Sequence, residues 1–143
     1  MSGYLTVAVG GREMAAPLDQ VREVVRAVGI EALPGSRAPI TGLVQLRGEP
    51  LPVVDLRTAP YPGGTGDLVV LVGRPGAGES GALALAVDRV LAVVTAAEYE
   101  LSDVAVPPGL PAYVTALLRP TGSGEQPRTV FEVDLWALAG VAA

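Results

Sequence analysis

The feature that most constrains this chain is that its sequence repeats itself. Tyr4-Leu-Thr-Val-Ala-Val-Gly10 matches Asp67-Leu-Val-Val-Leu-Val-Gly73, and Leu18-Asp-Gln-Val-Arg-Glu-Val-Val25 matches Val87-Asp-Arg-Val-Leu-Ala-Val-Val94. Gly35–Gly42 matches Gly109–Ala116, and Val54-Asp-Leu56 matches Val133-Asp-Leu135. The spacing between matched blocks widens only at Gly/Pro/Ser-rich stretches, where loops absorb insertions. Chance supplies one such match in a Val- and Ala-rich chain. Four in the same order read as an internal duplication into two lobes, approximately 1–60 and 61–143, joined by a short Pro/Gly connection over Thr58–Gly66. Units this small bury too little surface to be stable alone, so the two are expected to share a hydrophobic seam and form one domain.

The local signals are those of strands. Tyr4–Val9 runs into the turn pair Gly10-Gly11, Leu68–Val72 ends at Gly73, and Gly81–Val87, Leu51–Leu56 and Thr129–Leu135 are β-branched or apolar runs. Thirteen prolines and eighteen glycines, spread along the chain, fit many short strands and tight turns. Pro50 and Pro52 assign their strand to a sheet edge or a bulge. Helical signals are short: a turn through Gln20–Val24 capped by Asp19, and a final turn through Trp136–Ala139. The predicted fold is mostly β, each lobe a small barrel of about five strands, because closing the sheet removes edges that so few residues cannot otherwise cover.

Composition excludes most catalytic chemistry. The chain has 143 residues, a net charge of −5, no cysteine, no histidine and no lysine, so all ten basic residues are arginine. Zinc, haem and iron–sulfur ligation, Ser-His-Asp or Cys-His nucleophiles and disulfides lose their residues together. An acidic chain without a basic cluster is a poor partner for nucleic acid. The most apolar stretch, Gly81–Thr95, is interrupted by Asp88-Arg89 and falls short of a membrane span; the first nine residues lack the basic start of a signal peptide. A cytoplasmic protein without direct membrane insertion is expected. Asp55, Asp88 and Asp134 are single carboxylates at strand ends and suggest turn or cap roles.

One motif imitates a phosphate loop. Gly73-Arg-Pro-Gly-Ala-Gly78-Glu79-Ser80 has the right frame, but a glutamate stands where lysine must neutralise phosphate and a strand follows instead of a helix. It reads as a lengthened hairpin loop. It is also the sole support for an alternative function, a small-ligand or nucleotide-binding regulator using the cleft between lobes.

The two lobes differ most in chemistry over Gly42–Arg57. Two strands meet there at Arg47-Gly48, with Gly48 suited to the positive φ of a tight turn. Arg47 would sit at a hairpin tip as a guanidinium fork, for which the second lobe has Thr121. At these residues the sequence resembles the CheW family of chemosensory adaptor proteins. The resemblance rests on an ordered set: Val21-Arg-Glu23-Val24, Pro39-Ile-Thr-Gly42-Leu-Val-Gln45-Leu46-Arg47-Gly48, Leu51-Pro-Val-Val-Asp55-Leu56, Val87-Asp88-Arg89-Val90 and Glu132-Val-Asp134-Leu135.

The resemblance implies two five-stranded SH3-like barrels around a shared core and a scaffold with neither catalytic activity nor cofactor. Its implied partners are the regulatory domain of a CheA-type histidine kinase and the cytoplasmic tip of a chemoreceptor, with self-association left open. It also implies a partner-binding set: Arg47 with its neighbours Gly48 and Gln45, Glu23, and Val87 and Asp88 near the lobe junction. Gln45 departs from the family's asparagine, Ala116 from its glycine, and the Thr58–Gly66 connection is shortened. A divergent module that keeps a single partner interface is the second alternative.

Overall fold

The computed structural model describes residues 3–26, 30–32, 40–55, 66–71, 83–101, 106–122, 128–135 and 137. The Gly73–Ser80 loop, residues 58–65 of the connection, and Trp136 with residues 138–139 of the expected final turn lie outside these residues. Twelve strands are present among the described residues: β1 Gly3–Val9, β2 Arg12–Pro17, β3 Val21–Arg26, β4 Glu31–Ala32, β5 Ile40–Leu46, β6 Glu49–Asp55, β7 Asp67–Leu71, β8 Ala84–Val87, β9 Arg89–Thr95, β10 Tyr99–Leu101, β11 Val114–Pro120 and β12 Val130–Val133. They form two six-stranded sheets, ordered β10-β11-β12-β2-β1-β9 and β4-β5-β6-β8-β7-β3. Each curls into a half-barrel, so the predicted mostly-β, barrel-like fold is present, with six strands per sheet where five were expected.

The two strand orders are the same order. Substituting β1 for β7, β2 for β8, β9 for β3 and β10–β12 for β4–β6 converts one sheet into the other, including its one parallel pair, β2 with β12 and β8 with β6. The correspondence extends to single residues. Thr6 pairs with Ala92 and Val7 with Val90, skipping Leu91; Val70 pairs with Glu23 and Leu71 with Val21, skipping Arg22. The β5–β6 ladder skips Thr41 and the β11–β12 ladder skips Thr115, its counterpart. Four bulges thus occupy two equivalent places, which marks them as inherited features of the repeat.

This register corrects the repeat at one block. Tyr4 pairs with Pro17 and Val94, while Leu68 pairs with Ala86 and Val25. The structural counterpart of Tyr4 is therefore Leu68, one residue beyond the Asp67 that similarity suggested. Both strands are buried on both faces over most of their length, so their near-continuous apolar runs carry no alternation to fix a register.

The sheets do not follow the halves of the chain. The opening hairpin β1–β2 sits in the sheet built by β9–β12, and the hairpin β7–β8 sits in the sheet built by β3–β6. Each half donates its first hairpin to the other. The largest core cluster lies where the sheets face: Leu5, Val7, Val9 and Met14 from one, Val54, Val69, Leu85 and Val87 from the other, with Val133 and Leu135. Each sheet also wraps a smaller interior, Val44, Leu51, Val53, Leu68 and Val70 in one and Ala15, Leu118 and Val130 in the other. In β1, Leu5 and Val7 point into the seam while Thr6 packs away from it; in β7, Val69 joins the seam while Leu68 and Val70 fill the barrel.

Two local expectations change. The turn predicted through Gln20–Val24 is a single 3-10 turn, Leu18–Gln20, after which the chain is already in β3. Val21, Val24 and Val25 prefer extended backbone, and Gln20 is held by distant partners: its Nε2 donates to Asp134 Oδ1 at 3.1 Å and its Oε1 accepts from the Leu135 amide at 2.8 Å. The proline-bearing β6 is an internal strand, yet β8 pairs with it only from Val53 to Asp55. Pro50 and Pro52 occupy the half that pairs with β5 alone among the described residues, where a missing N–H facing away from β5 costs no described ladder bond.

Because each sheet lacks two strands without the other half, fragments 1–60 and 61–143 are each expected to be unfolded alone by circular dichroism and amide NMR. Mixed in equal amounts, they are expected to recover the spectrum of the intact chain; a natively folded single fragment would contradict the hairpin exchange.

Candidate functional site

The β5–β6 connection is the tightest hairpin the backbone allows. Leu46 pairs with Glu49 across Arg47-Gly48, whose φ values are 49° and 81°. Positive φ at both central residues defines a type I′ turn, whose twist matches the strands it joins. Gly48 behaves as expected. Arg47 sits at the hairpin tip as expected, and it is also the one non-glycine residue with positive φ among the described residues. A side chain there costs on the order of 1 kcal/mol.

Arg47 is held at that backbone by a carboxylate from the far edge of the sheet. Its Nη1 donates to Glu23 Oε1 at 2.9 Å and to Oε2 at 3.2 Å, and its Nη2 also donates to Oε2. Glu23 lies on β3, at the sheet edge nearest β7, whereas Arg47 follows β5, near the opposite edge. The sheet curls until these edges meet, and the bidentate pair spans the closure. Arg22 Nε lies 3.4 Å from Glu23 Oε1 and its Nη1 3.6 Å from Glu49 Oε2. The result is an alternating cluster, Glu49–Arg22–Glu23–Arg47. The Glu23 side chain is 24% exposed and that of Arg47 65%, so the sheltered carboxylate orients a guanidinium whose remaining surface faces outward.

Three of the six anticipated partner-binding residues, Arg47, Gly48 and Glu23, are thus brought together, and Gln45 is exposed on the strand entering the same turn. The other two are placed differently. Val87 is completely buried in the seam between the sheets and has no surface to offer, which corrects its assignment as a contact residue; its position in β8 places it in the core cluster that holds Leu5 and Val54. Asp88 is exposed but engaged: its Oδ2 accepts from the Gly10 amide at 2.8 Å and its own amide donates to the Ala8 carbonyl at 2.9 Å, locking the β1–β2 turn to β8. Arg22 and Glu49 were missed by sequence reasoning. Their signal was present, since Arg22 stands between matched valines at the bulge position, but opposite charges far apart in sequence do not announce that a curl will join them.

The equivalent place in the other sheet is chemically different. Arg22, Glu23, Arg47 and Glu49 correspond to Leu91, Ala92, Thr121 and Arg128 by the shared register. There the charge cluster is gone and a pocket of about 330 Å³ opens, lined by those residues with Thr6, Glu98 and Tyr99. Tyr4, edge-on to the pocket's Tyr99, donates its phenol to Glu132, and burial followed by that hydrogen bond pushes its pKa up to about 12. A Cβ at Gly42 would lie 2.5 Å from the Glu31 carbonyl oxygen, because β4 crosses there. The described part of β10, Tyr99–Leu101, pairs with Pro120–Leu118.

A model of the CheW-like domain matches residues 3–142. The chain belongs to the CheW-like family. No curated protein matches the sequence closely enough to count as a relative. Among solved structures, the fold is similar to the scaffolding protein TtCheW from Thermoanaerobacter tengcongensis, with a TM-score of 0.69 and 20% identity over 94% of this chain and 84% of that one. The resemblance to the CheW family read from the sequence is therefore borne out. No helix among the described residues is long and apolar enough to cross a membrane.

If the Glu23 pair orients Arg47 without carrying the fold, Glu23→Ala should lower unfolding free energy in urea by no more than about 1 kcal/mol. The same variant should make the Arg47 side chain visibly more disordered in ¹⁵N relaxation of its Nε–H. A loss above about 3 kcal/mol would instead make the pair a structural closure of the barrel.

Proposed function

We propose that this CheW-like protein is a non-catalytic adaptor that couples chemoreceptors to a CheA-type histidine kinase. One observation carries the reading: Arg47, in a type I′ turn and braced by Glu23, presents an outward guanidinium at a hairpin tip. An arginine fixed in this way loses little conformational entropy when it meets a partner's carboxylate or carbonyl, which suits a contact residue in a protein interface. The exposed Gln45 extends the same surface. Family membership supports a scaffold in chemosensory signalling, acting in the cytoplasm where the kinase and the receptor tips are. Asp88 is a less direct participant in this proposal, since its carboxylate already serves the β1–β2 turn.

Calorimetry should detect binding of the full chain to the regulatory domain of a CheA-type kinase, and separately to a receptor cytoplasmic hairpin. Arg47→Glu, with an unchanged unfolding midpoint, should weaken at least one of these by roughly tenfold or more. Wild-type affinity for both partners in that variant would remove Arg47 from the interface. Binding to one partner alone would favour the single-interface module.

A further inference from the structure

Beside the pocket of the second sheet lies a shallower hollow of about 450 Å³, lined by Arg12, Arg89 and Arg128 together with Gly11, Phe131 and Glu13. Three of the chain's ten arginines converge there, in a protein whose net charge is −5. Arg128 is matched by Glu13, its Nε lying 3.1 Å from Oε1. Arg12 and Arg89 are exposed and have no ion pair among the described residues. The Arg12 guanidinium stands 5.9 Å from the centroid of the Phe131 ring, which lines the same hollow, a cation–π contact that uses none of its N–H donors.

The repeat provides an internal control. By the shared register, Arg89, Arg128 and Phe131 correspond to Gln20, Glu49 and Pro52 in the other sheet. The same frame carries there a buried glutamine that bridges backbone and carboxylate, and a glutamate within the alternating ion cluster. Nothing in the strand geometry therefore requires arginines at these places. Their convergence runs against the charge of the whole chain, and like charges gathered at one concavity are stabilised by an anion that fills it.

We propose that this hollow is a docking site for an acidic peptide segment, two neighbouring carboxylates of which pair with Arg12 and Arg89. Guanidinium forks match carboxylates bidentately, the ring of Phe131 offers an apolar face to the aliphatic part of a glutamate, and Arg128, already paired with Glu13, adds positive charge at the rim. The site lies on β1, β2, β9 and β12, elements that carry none of the Glu23–Arg47 cluster, so it stands or falls independently of the adaptor reading.

An amide NMR titration of the full chain with N-acetyl-tetraglutamate amide tests it directly. Saturable shifts of the Gly11, Arg12, Arg89 and Thr129 amides are expected at about 20 mM salt, fading at about 300 mM as the contact is screened. N-acetyl-tetraglutamine amide should produce none. Arg12→Gln/Arg89→Gln should weaken binding by roughly tenfold while leaving the remaining spectrum in place, and Arg89→Gln alone gives a milder variant should Arg12 prove necessary for packing on Phe131. Absence of shifts, equal shifts with the glutamine peptide, or undiminished binding by the double variant would overturn the proposal. Tighter binding of pyrophosphate than of the glutamate peptide would likewise overturn it, by assigning the hollow to phosphoryl ligands.

Discussion

The packing of β1 against β7 and β8 across the seam is the interaction on which the rest of this structure depends. Each half of the chain is too short to cover its own sheet, and each is completed by a hairpin from the other. Leu5, Val7, Val69, Leu85 and Val87 are almost fully excluded from solvent because they are at once the inner layer of one sheet and the cover of the other. The Leu18–Gln20 turn and Asp88 mark the two places where the chain passes between sheets, and both are tied by hydrogen bonds to distant residues.

A frame held from the inside leaves its two curled outer mouths open to change. One is covered by a neutral ion cluster that holds Arg47 outward at a strained turn; the other has lost those charges, gained a pocket, and lies next to a cationic hollow. Equivalent backbones thus present different electrostatic faces. This arrangement suits a protein whose proposed task is to hold partners in register. The two faces differ by a few surface residues, whereas the bulges and registers beneath them are the same in both sheets.

Much of this was legible in the sequence. The duplicated blocks, the turn at Arg47-Gly48 and the sharing of a seam follow from turn chemistry and from apolar runs too short for independent barrels. The exchange of hairpins was not legible, because β1 and β7 are similar enough that either would fit either sheet, and similarity cannot say which one is taken. The register of Tyr4 was missed for the same reason. Val87 looked available because a Val-Asp pair at a junction suggests a surface; its burial depends on which face of β8 meets the neighbouring sheet, a fact of tertiary packing. The Glu23–Arg47 pair joins residues on nearly opposite edges of one sheet, which become neighbours only after it curls.

Native-state hydrogen exchange of the intact chain tests the shared seam most directly. If the exchanged hairpins make the two sheets one cooperative unit, the slowest amides of β1 and β2 and those of β7 and β8 should exchange with the same free energy, equal to that of global unfolding. They should also respond identically to added denaturant. Exchange of one sheet's central strands at a clearly lower free energy, with the other still protected, would show that the sheets unfold separately and would contradict the account.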